Sequence, residues 1–356
     1  MKTIYFYGID NIKGGIESYA FNLIKGIKLN EPDFNFHIIT EYENFTYKDE
    51  LVKNFNCKYS IVPNKRKHPF KYCKAIKNIL KNAKKDDLCH LNLMSYRNFL
   101  LLHSVKKTKI NTIIVGHATK TNNFINTFIH KFFRIFYKNF STNIANNELV
   151  KNYMFGKNSN AKIIQFGFDP SKYIFNKCTR DAFRKKYGIS DEDFIIGQVG
   201  RISKAKNYDF SFKLLSTLKN DKNIKFAIFG KDTNNKYKKL CKKFRLKNVF
   251  YFGETENMPE IYNIFDIFIF PSLFESAGFA LYEALANGCY SLTSKNVPLE
   301  SVKSDRLSIL ELDINKWNKK IIEIKTNKYI RDNSKLSIRR IEDQISDYIN
   351  LYKLIN

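Results

Sequence analysis

The sequence has few features that could cross-link the chain or anchor it in a bilayer. Its six cysteines are widely spaced and include no Cys-x-x-Cys pair, which favours reduced thiols in a cytoplasmic protein over a disulfide framework or a zinc site. The longest candidate for a membrane span, residues 261–274, is too short and is interrupted by Asp266. The N-terminal MKTIYFYGID is typical of a strand and a turn, not of a signal peptide. We therefore expect a cytoplasmic protein.

Acidic residues are scarce in one long segment. Residues 51–140 contain 19 Lys and Arg but only Asp86 and Asp87, a net charge of +17 within a formal total of +27. A field of this sign attracts polyanions such as nucleic acid, anionic lipid headgroups or phosphorylated substrates. A general lysine bias explains the overall level of positive charge, but it explains the near absence of acids in one segment less well.

The common phosphate-binding and metal-binding patterns are also missing. Neither G-x-G-x-x-G nor G-x-x-x-x-G-K-[ST] occurs in the sequence. The only D-x-D, residues 191–193, lies in a polar segment before a predicted strand. We therefore expect no metal site and no bound cofactor.

Strand-like and helical runs alternate through almost the whole chain, which predicts a parallel α/β architecture. The 356 residues are enough for two domains with separate cores. The polar segment 169–193 separates two series of strands, so we place a boundary at its start. The predicted strands span residues 2–8, 36–41, 59–63, 87–93, 111–118, 141–146, 161–167, 194–200, 224–230, 248–253, 264–272 and 289–294. Two doubly wound domains of this kind bind ligands in the cleft between them, at the carboxyl ends of their strands.

The segment FINTFIHKFFRIFYKNF, residues 124–140, has a wide apolar stripe at helical spacing. His130, Lys131, Arg134 and Lys138 lie beside this stripe. Both a membrane-surface helix and an ordinary helix packed on its sheet have this pattern, and we favour the helix packed on its sheet because core helices are far commoner.

Two loops could bind a phosphate. Gly14 and Gly15 lie between the first strand and a helix, where glycine lets the backbone approach a phosphate, although a Gly-Gly pair is often only a turn. Arg201 and Lys206 follow the first strand of the second series, where two cations could hold a diphosphate. In a lysine-rich chain they could also be solvated charges.

The stretch FESAGFALYEALANG, residues 274–288, places two glutamates around a strand–loop–helix junction. The backbone N–H groups of Ala277, Gly278 and Phe279 would lie at a helix N-terminus, which suits a pyrophosphate or a sugar oxygen. Glu283 can accept hydrogen bonds from a ribose diol, and Glu275 can hold sugar hydroxyls or stabilise developing positive charge. Alternatively, Glu283 complements the helix dipole and Glu275 caps the helix; Arg201 and Lys206 in the same domain favour the binding site.

Taken together, these motifs resemble the retaining glycosyltransferases of family 4, and the resemblance covers nearly the whole chain. The motifs that carry it are Gly14-Gly15-Ile16-Glu17, Val115-Gly116-His117, Val199-Gly200-Arg201 with Lys206, Phe229-Gly230, Tyr251-Phe252-Gly253, and Phe270-Pro271-Ser272-Leu273-Phe274-Glu275 running through Gly278 to Glu283-Ala284 and Gly288. The sequence departs from the family at its Asn-Gly-x-Asp turn, which begins here with Phe166.

The resemblance implies the GT-B fold, in which two Rossmann-like doubly wound α/β domains face a central cleft. We expect an acceptor-side domain at residues 1–168, a nucleotide-sugar domain at 169–339, and a C-terminal helix at about 340–356 that returns to the first domain.

The resemblance also implies residue roles. Arg201 and Lys206 would bind the donor diphosphate and stabilise the leaving nucleotide without a metal. Glu283 would hold the ribose, and Glu275 with the amides of residues 277–279 would hold the donor sugar. The remaining positions implied to face the donor are Gly14, Gly15, His117 and Gly230. From the sequence alone, His117 could equally be a hydrogen-bonded structural histidine.

The implied activity is that of a retaining hexosyltransferase with a nucleoside-diphosphate sugar as donor, more often UDP-linked than GDP-linked. The implied acceptor is a polyprenyl-diphosphate-linked glycan of O-antigen, capsule or exopolysaccharide synthesis. The basic first domain then predicts peripheral association with the anionic inner face of the cell membrane. A nucleic-acid-binding protein is the alternative from another class, but no known reader motif occurs. A non-catalytic sugar-nucleotide-binding protein, a phosphorylase and an inverting GT-B enzyme also remain open.

Overall fold

The computed structural model describes residues 1–12, 14–120, 123–255 and 257–355. The chain divides into two compact units, Met1–Gly167 with Arg340–Asn356, and Phe168–Arg339. The division after Gly167 lies one residue before the predicted boundary. Asn356, the last residue of the predicted C-terminal helix, lies outside the described residues.

The strands and helices alternate in chain order. The strands are β1 (Lys2–Tyr7), β2 (Phe34–Thr40), β3 (Lys58–Ile61), β4 (Leu88–Leu93), β5 (Asn111–Gly116), β6 (Thr142–Ala145), β7 (Lys162–Ile163), β8 (Phe194–Val199), β9 (Ile224–Phe229), β10 (Val249–Gly253), β11 (Ile267–Phe270), β12 (Tyr290–Ser294), β13 (Val302–Lys303), β14 (Leu307–Leu310) and β15 (Ser337–Ile338). The α-helices are α1 (Gly15–Asn30), α2 (Pro69–Leu80), α3 (Phe99–Thr108), α4 (Phe124–Tyr137), α5 (Glu148–Met154), α6 (Lys177–Lys186), α7 (Tyr208–Leu218), α8 (Lys236–Phe244), α9 (Met258–Ile261), α10 (Phe279–Ala286), α11 (Ile314–Thr326) and α12 (Ile341–Leu354). Single turns of π-helix and 3₁₀-helix lie at Glu50–Asn54, Pro170–Tyr173 and Tyr262–Ile264.

Each unit contains a parallel sheet with the strand order of a doubly wound fold. The first sheet has the order β3-β2-β1-β4-β5-β6-β7 and the second has the order β10-β9-β8-β11-β12-β14. All neighbouring strands in these two sheets run parallel. Strands β13 and β15 form a separate antiparallel pair. The carboxyl ends of parallel strands lie at one edge of each sheet, and this edge is where such folds bind ligands.

The central strands are apolar because both faces of their sheets are covered. All six residues of β4 and all four of β11 are buried. In the second unit, two clusters of buried side chains include residues of β8, β9, β11 and β12, and Trp317 of α11 is fully buried in one of them. Each unit therefore has its own hydrophobic core.

The segment 124–140 packs on the core of the first unit along one side only, through Tyr137, Phe133 and Phe140. The helix α4 forms, but only His130 and Tyr137 are buried in it. The contacts of the helix with neighbouring elements lie along one narrow side, and most of its apolar stripe is exposed. Among the described residues, no helix is long and apolar enough to span a membrane.

Candidate functional site

Lys206 lies in the loop that follows β8, and it forms an ion pair with Glu275 in the loop that follows β11. Its Nζ is 2.8 Å from the Glu275 Oε1, and both side chains are mostly buried. The Lys206 ammonium also lies 4.4 Å from the ring centroid of Phe270, within the range of a cation–π interaction. Because β8 and β11 are adjacent parallel strands, their carboxyl ends bring these two loops together.

Hydrogen bonds fix the backbone around Lys206. The side-chain amide of Gln198 donates to the Lys206 carbonyl at 2.9 Å, and Ser211 donates to the same glutamine at 2.6 Å. At the start of the loop, the hydroxyl of Tyr208 donates to the Gly200 carbonyl at 2.7 Å. The lysine is therefore held by a buried polar network before any ligand arrives.

Arg201 differs from Lys206 although both belong to the same loop. Its side chain is exposed, and within the described part of the chain its guanidinium has no hydrogen bond or ion pair. Its five N–H donors are therefore available to an anionic ligand. Lys206 is held in place by Glu275, whereas the side chain of Arg201 extends into solvent.

Glycine is required where the loops after β8 and β9 meet. Gly230 has a φ of +138°, and a Cβ at this position would lie 2.3 Å from the carbonyl oxygen of Gly200. Gly200 itself has a φ of +132°. Both values lie where side chains are strained, so the close approach of the two loops depends on these glycines. The sequence-predicted Gly230 therefore contacts the backbone that leads into Arg201.

Glu275 has a second partner besides Lys206. The hydroxyl of Ser272 donates to the Glu275 Oε1 at 2.7 Å. The same carboxylate oxygen thus receives both the ammonium and the hydroxyl. This arrangement keeps Glu275 in the loop and leaves Oε2 as the oxygen to accept hydrogen bonds from a ligand.

The loop after Glu275 leads directly into α10. Gly278 has a φ of +80° and precedes the first helical residue, Phe279, and a Cβ on it would lie 3.0 Å from Val297. Ala277 is buried. The first turn of an eight-residue helix therefore begins beside the Lys206–Glu275 pair, with the positive end of its dipole at this edge of the sheet.

Glu283 lies one turn further along α10 and accepts hydrogen bonds from two tyrosines. Tyr173 donates to Oε1 at 3.0 Å, and Tyr262 donates to Oε2 at 2.5 Å. Burial raises the pKa of Glu283 to about 7, whereas these two hydrogen bonds and the charge of Lys206 lower it. The residue as a whole is only partly buried, whereas its carboxylate is enclosed by the two tyrosines.

These side chains form one polar cluster at the carboxyl edge of the second sheet. Two cations and two carboxylates lie on the loops after β8 and β11 and on the first turns of α10. The cations suit phosphate oxygens, and the carboxylates suit hydroxyl donors. The structure therefore brings together Arg201, Lys206, Gly230, Glu275, Ala277, Gly278, Phe279 and Glu283 of the sequence-predicted residues.

The other predicted residues, Gly14, Gly15 and His117, belong to the first unit. Gly15 begins α1 just after β1, and a Cβ at this position would meet nothing within 4 Å. At Gly14 a Cβ would lie 2.9 Å from the Glu17 carboxylate. Gly15 therefore presents open backbone at a helix N-terminus.

His117 follows β5 and is buried, with its Nε2 2.7 Å from the Oδ1 of Asn92. Its ring packs against Phe166 and Tyr19. Burial lowers the pKa of His117 to about 3, so the ring is neutral at physiological pH. The contact with Phe166 links this histidine to the position where the sequence departs from the family's turn.

Sequence reasoning did not identify Tyr173, Tyr262 or Ser272 as part of the cluster. Tyr173 lies 110 residues from Glu283 and Tyr262 lies 21 residues from it, and no spacing pattern connects them. Ser272 could have been found, since it is three residues before Glu275 at the end of a predicted strand.

The second unit matches a known protein family. Residues 179–339 match the family model described as Glycosyl transferases group 1. Among proteins with a similar sequence is EpsF of Bacillus subtilis (strain 168), whose name assigns it to the glycosyltransferases. It is 22% identical over 298 residues, which cover 80% of this chain and 77% of EpsF. The lipopolysaccharide glucosyltransferase WaaG of Escherichia coli (strain K12) is 29% identical over 119 residues, which cover 33% of this chain and 32% of WaaG.

The fold of the whole chain is also known from solved structures. The crystal structure of HepE of Anabaena in complex with UDP-glucose superimposes with a TM-score of 0.76 at 15% sequence identity, covering 99% of this chain and 100% of HepE. The predicted fold class, two parallel-sheet α/β domains of the GT-B type, is confirmed. Residues 179–339 of the second unit thus resemble group 1 glycosyl transferases, and both similar proteins are named as glycosyltransferases.

Proposed function

We propose that the protein is a retaining glycosyltransferase of family 4 that moves a hexose from a nucleoside-diphosphate sugar to a hydroxyl of a lipid-linked saccharide. One observation carries the proposal: the Lys206–Glu275 ion pair lies at the carboxyl edge of the sheet in the unit that matches the group 1 family, with Glu283 and the exposed Arg201 nearby. Two cations and two hydroxyl acceptors at one edge are the groups that a sugar nucleotide requires.

Each part of the donor has a candidate partner. Arg201 binds the diphosphate with its paired N–H donors, and Lys206 adds a fixed positive charge. Glu283 accepts hydrogen bonds from the ribose hydroxyls. Glu275 accepts hydrogen bonds from the donor sugar, together with the amides that begin α10. These two cations supply the charge that a metal ion supplies in other transferases, so we expect activity in the presence of a chelator.

The first unit contributes open backbone and a neutral histidine to the proposed reaction. Gly14 and Gly15 keep the donor-binding role that the resemblance implies, since Gly15 presents open backbone at the N-terminus of α1. His117 interacts with the donor sugar by hydrogen bonding and not as an imidazolium, because burial lowers its pKa to about 3.

Retention is proposed through a front-face substitution. The bond between the anomeric carbon and the phosphate oxygen breaks, and the acceptor oxygen bonds to the same face of that carbon. The departing phosphate takes the acceptor proton, so the products are the glycosylated acceptor and the nucleoside diphosphate. No enzyme nucleophile is assigned, since Glu275 is already engaged by Lys206 and Ser272. The anomeric configuration of the product, determined by NMR, separates this route from an inverting one.

A UDP-sugar is the proposed donor, supported by HepE, whose crystal structure contains UDP-glucose. The proposed acceptor is a polyprenyl-diphosphate-linked glycan at the inner face of the cell membrane, in O-antigen, capsule or exopolysaccharide synthesis. The net charge of +17 over residues 51–140 supports peripheral association with anionic lipid.

The test is binding of UDP- and GDP-sugars to the purified protein, measured as a shift in the unfolding temperature. We expect the unfolding temperature to rise with one nucleotide class, and the rise to be lost in a variant with Arg201→Ala and Lys206→Ala. Lys204→Ala is the matched control, because Lys204 is an exposed lysine of the same loop. This control should retain the whole shift.

Two results would contradict the proposal. If the wild type binds no sugar nucleotide, the family resemblance describes only the fold. If it binds a donor but transfers no sugar to any lipid-linked acceptor from a polysaccharide-producing membrane extract, the protein is a non-catalytic sugar-nucleotide-binding protein.

A further inference from the structure

The outer side of α4 presents a continuous apolar surface to solvent. Its large apolar side chains are between 47% and 84% exposed, and they recur at the spacing of one helical face. We name this surface the α4 outer face: Phe124, Ile125, Phe128, Phe132, Ile135 and Phe136. Single exposed apolar residues are normal on a protein surface, but six on one face of one helix mark an interaction site.

The helix cannot turn this face inward, because its opposite side is fixed. The backbone N–H of Tyr96 donates to the Nδ1 of His130 at 3.2 Å, so the Nε2 carries the proton and donates to the Tyr153 carbonyl at 3.0 Å. Phe133 stacks on Phe99 with ring centroids 4.4 Å apart. Rotation of α4 would break these contacts, so the outer face stays exposed in the isolated protein.

The surroundings of the α4 outer face are basic. Residues 88–147 contain eight Lys and Arg and no Asp or Glu. Lys131 and Lys138 are exposed on or directly beside the helix. Beyond its end, Lys106 and Lys109 line a surface hollow of about 520 Å³ that also includes Phe140.

The positive surface continues further along the first unit. Lys109 also belongs to a second hollow of about 780 Å³. The other lysines of that hollow are Lys77, Lys81, Lys84, Lys85 and Lys107. A partner of the α4 outer face must therefore accept apolar side chains and also carry negative charge at its surface.

We propose that the α4 outer face docks on an anionic lipid bilayer, with the helix lying in the plane of the interface. Its apolar side chains enter the boundary between headgroups and acyl chains, and the neighbouring lysines contact the anionic headgroups. A nucleic acid would satisfy the charge but offers no apolar surface of this size. A second copy of the chain would bring a total formal charge of +27 against a basic face. This inference goes beyond charge-driven membrane association, because it assigns the contact to one helix face and to insertion.

The first experiment is flotation with vesicles of phosphatidylcholine, with and without phosphatidylglycerol. The α4 variant carries Phe128→Ser, Phe132→Ser and Ile135→Ser. The control carries Ile174→Ser, Ile330→Ser and Leu354→Ser, three residues in other parts of the fold that are 66–81% exposed, against 47–68% for the three α4 residues. We expect the wild type and the control to float with the anionic vesicles, and the affinity of the α4 variant to fall by about tenfold or more, since it loses three inserting side chains.

The second experiment measures insertion directly. Trp317 is the single tryptophan of the chain and is fully buried, so its emission gives a constant background. A tryptophan placed by Phe132→Trp should shift its emission to the blue when anionic vesicles are added. The same addition should leave the emission of an Ile330→Trp variant unchanged.

Three outcomes would overturn the proposal. The first is that the wild type does not float with the vesicles. The second is that the α4 variant floats as well as the wild type, because charge alone then accounts for binding. The third is that the wild type is a dimer that the α4 substitutions separate into monomers. The binding of UDP-sugars, measured on the same variants, keeps the two proposals apart. The α4 variant should keep its donor-induced thermal shift whether or not it binds lipid.

Discussion

The burial of Glu283 makes its charge sensitive to pH near neutrality. Burial raises its pKa to about 7, although Tyr262, Tyr173 and Lys206 all favour the ionised form. Only the carboxylate can accept hydrogen bonds with both oxygens. We therefore expect the affinity for UDP-glucose to rise by up to about tenfold between about pH 6 and pH 8, following the ionised fraction of one group. Titration calorimetry with UDP-glucose, whose diphosphate does not titrate in this range, measures this rise.

Glu283→Gln should remove the pH dependence, because the amide has no ionisation in this range. Glu260→Gln is the control, since Glu260 is an exposed carboxylate of α9 in the same unit. A rise in affinity that persists unchanged in Glu283→Gln would assign the titration to another group. This result would also contradict the proposed hydrogen bonds between Glu283 and the ribose.

The residues of the candidate site differ in how far the sequence predicts them. Lys206, Glu275 and Glu283 follow or begin predictable elements, so their place at the carboxyl edge follows from parallel topology alone. The hydroxyls on Glu283 could not be predicted, because Tyr173 and Tyr262 reach it from two separate 3₁₀ turns. Their contribution depends on distances of a few ångströms, which no spacing pattern records.

At the level of elements, a buried hydrogen bond between side chains helps to join α12 to the first sheet. Tyr352 is fully buried, and its hydroxyl lies 2.6 Å from the Nδ1 of His90 in β4. Burial raises the pKa of Tyr352 well above its usual value, so the hydroxyl keeps its proton and donates. Tyr352→Phe leaves the histidine nitrogen without this donor and should lower the free energy of unfolding by about 1–3 kcal/mol. Urea unfolding of the full chain measures the loss.

Tyr329→Phe is the matched control, because Tyr329 is exposed and belongs to the second unit. Its free energy of unfolding should stay within about 0.5 kcal/mol of the wild type. If Tyr352→Phe is as stable as the wild type, α12 is held by its other contacts, such as the hydrogen bond from Lys2 to the Tyr352 carbonyl and the packing of Ile345 against Gly26.

The strands of both sheets except β14 could be predicted from the alternation of strand-like and helical runs, whereas β13, β14 and β15 could not. β13 and β15 are two residues each and exist only because they pair with one another across 34 residues of chain. β14 has a half-exposed pattern without a continuous apolar run. The exposure of most of the apolar face of α4 could not be predicted for a related reason. Periodicity shows that a helix has an apolar face, but not what covers that face.

At the scale of the whole molecule, the first unit keeps three histidines neutral in its interior. His90, His117 and His130 have pKa values lowered to about 3, 3 and 4, in each case chiefly by burial. The unfolded chain binds protons on these side chains below about pH 6.5, while the folded chain does not. Their contribution to stability is therefore complete above pH 6.5 and is lost progressively as the pH falls towards their folded values. Raised pKa values at Glu283, Asp10 and Glu17 act in the opposite direction.

A histidine variant separates these opposing effects, because the carboxyl groups are the same in both proteins. His117→Gln keeps an N–H that can donate to Asn92, so the fold should survive with one fewer buried imidazole. The free energy of unfolding is measured in urea at about pH 8, 6.5 and 5.5. Between pH 6.5 and 5.5 it should fall by roughly 1 kcal/mol less in the variant than in the wild type. The measurement at pH 8 reports the cost of the substitution itself and is subtracted. If the free energy of unfolding falls equally in the two proteins as the pH is lowered, His117 becomes protonated in the folded chain. A charged histidine would then be available to the donor sugar.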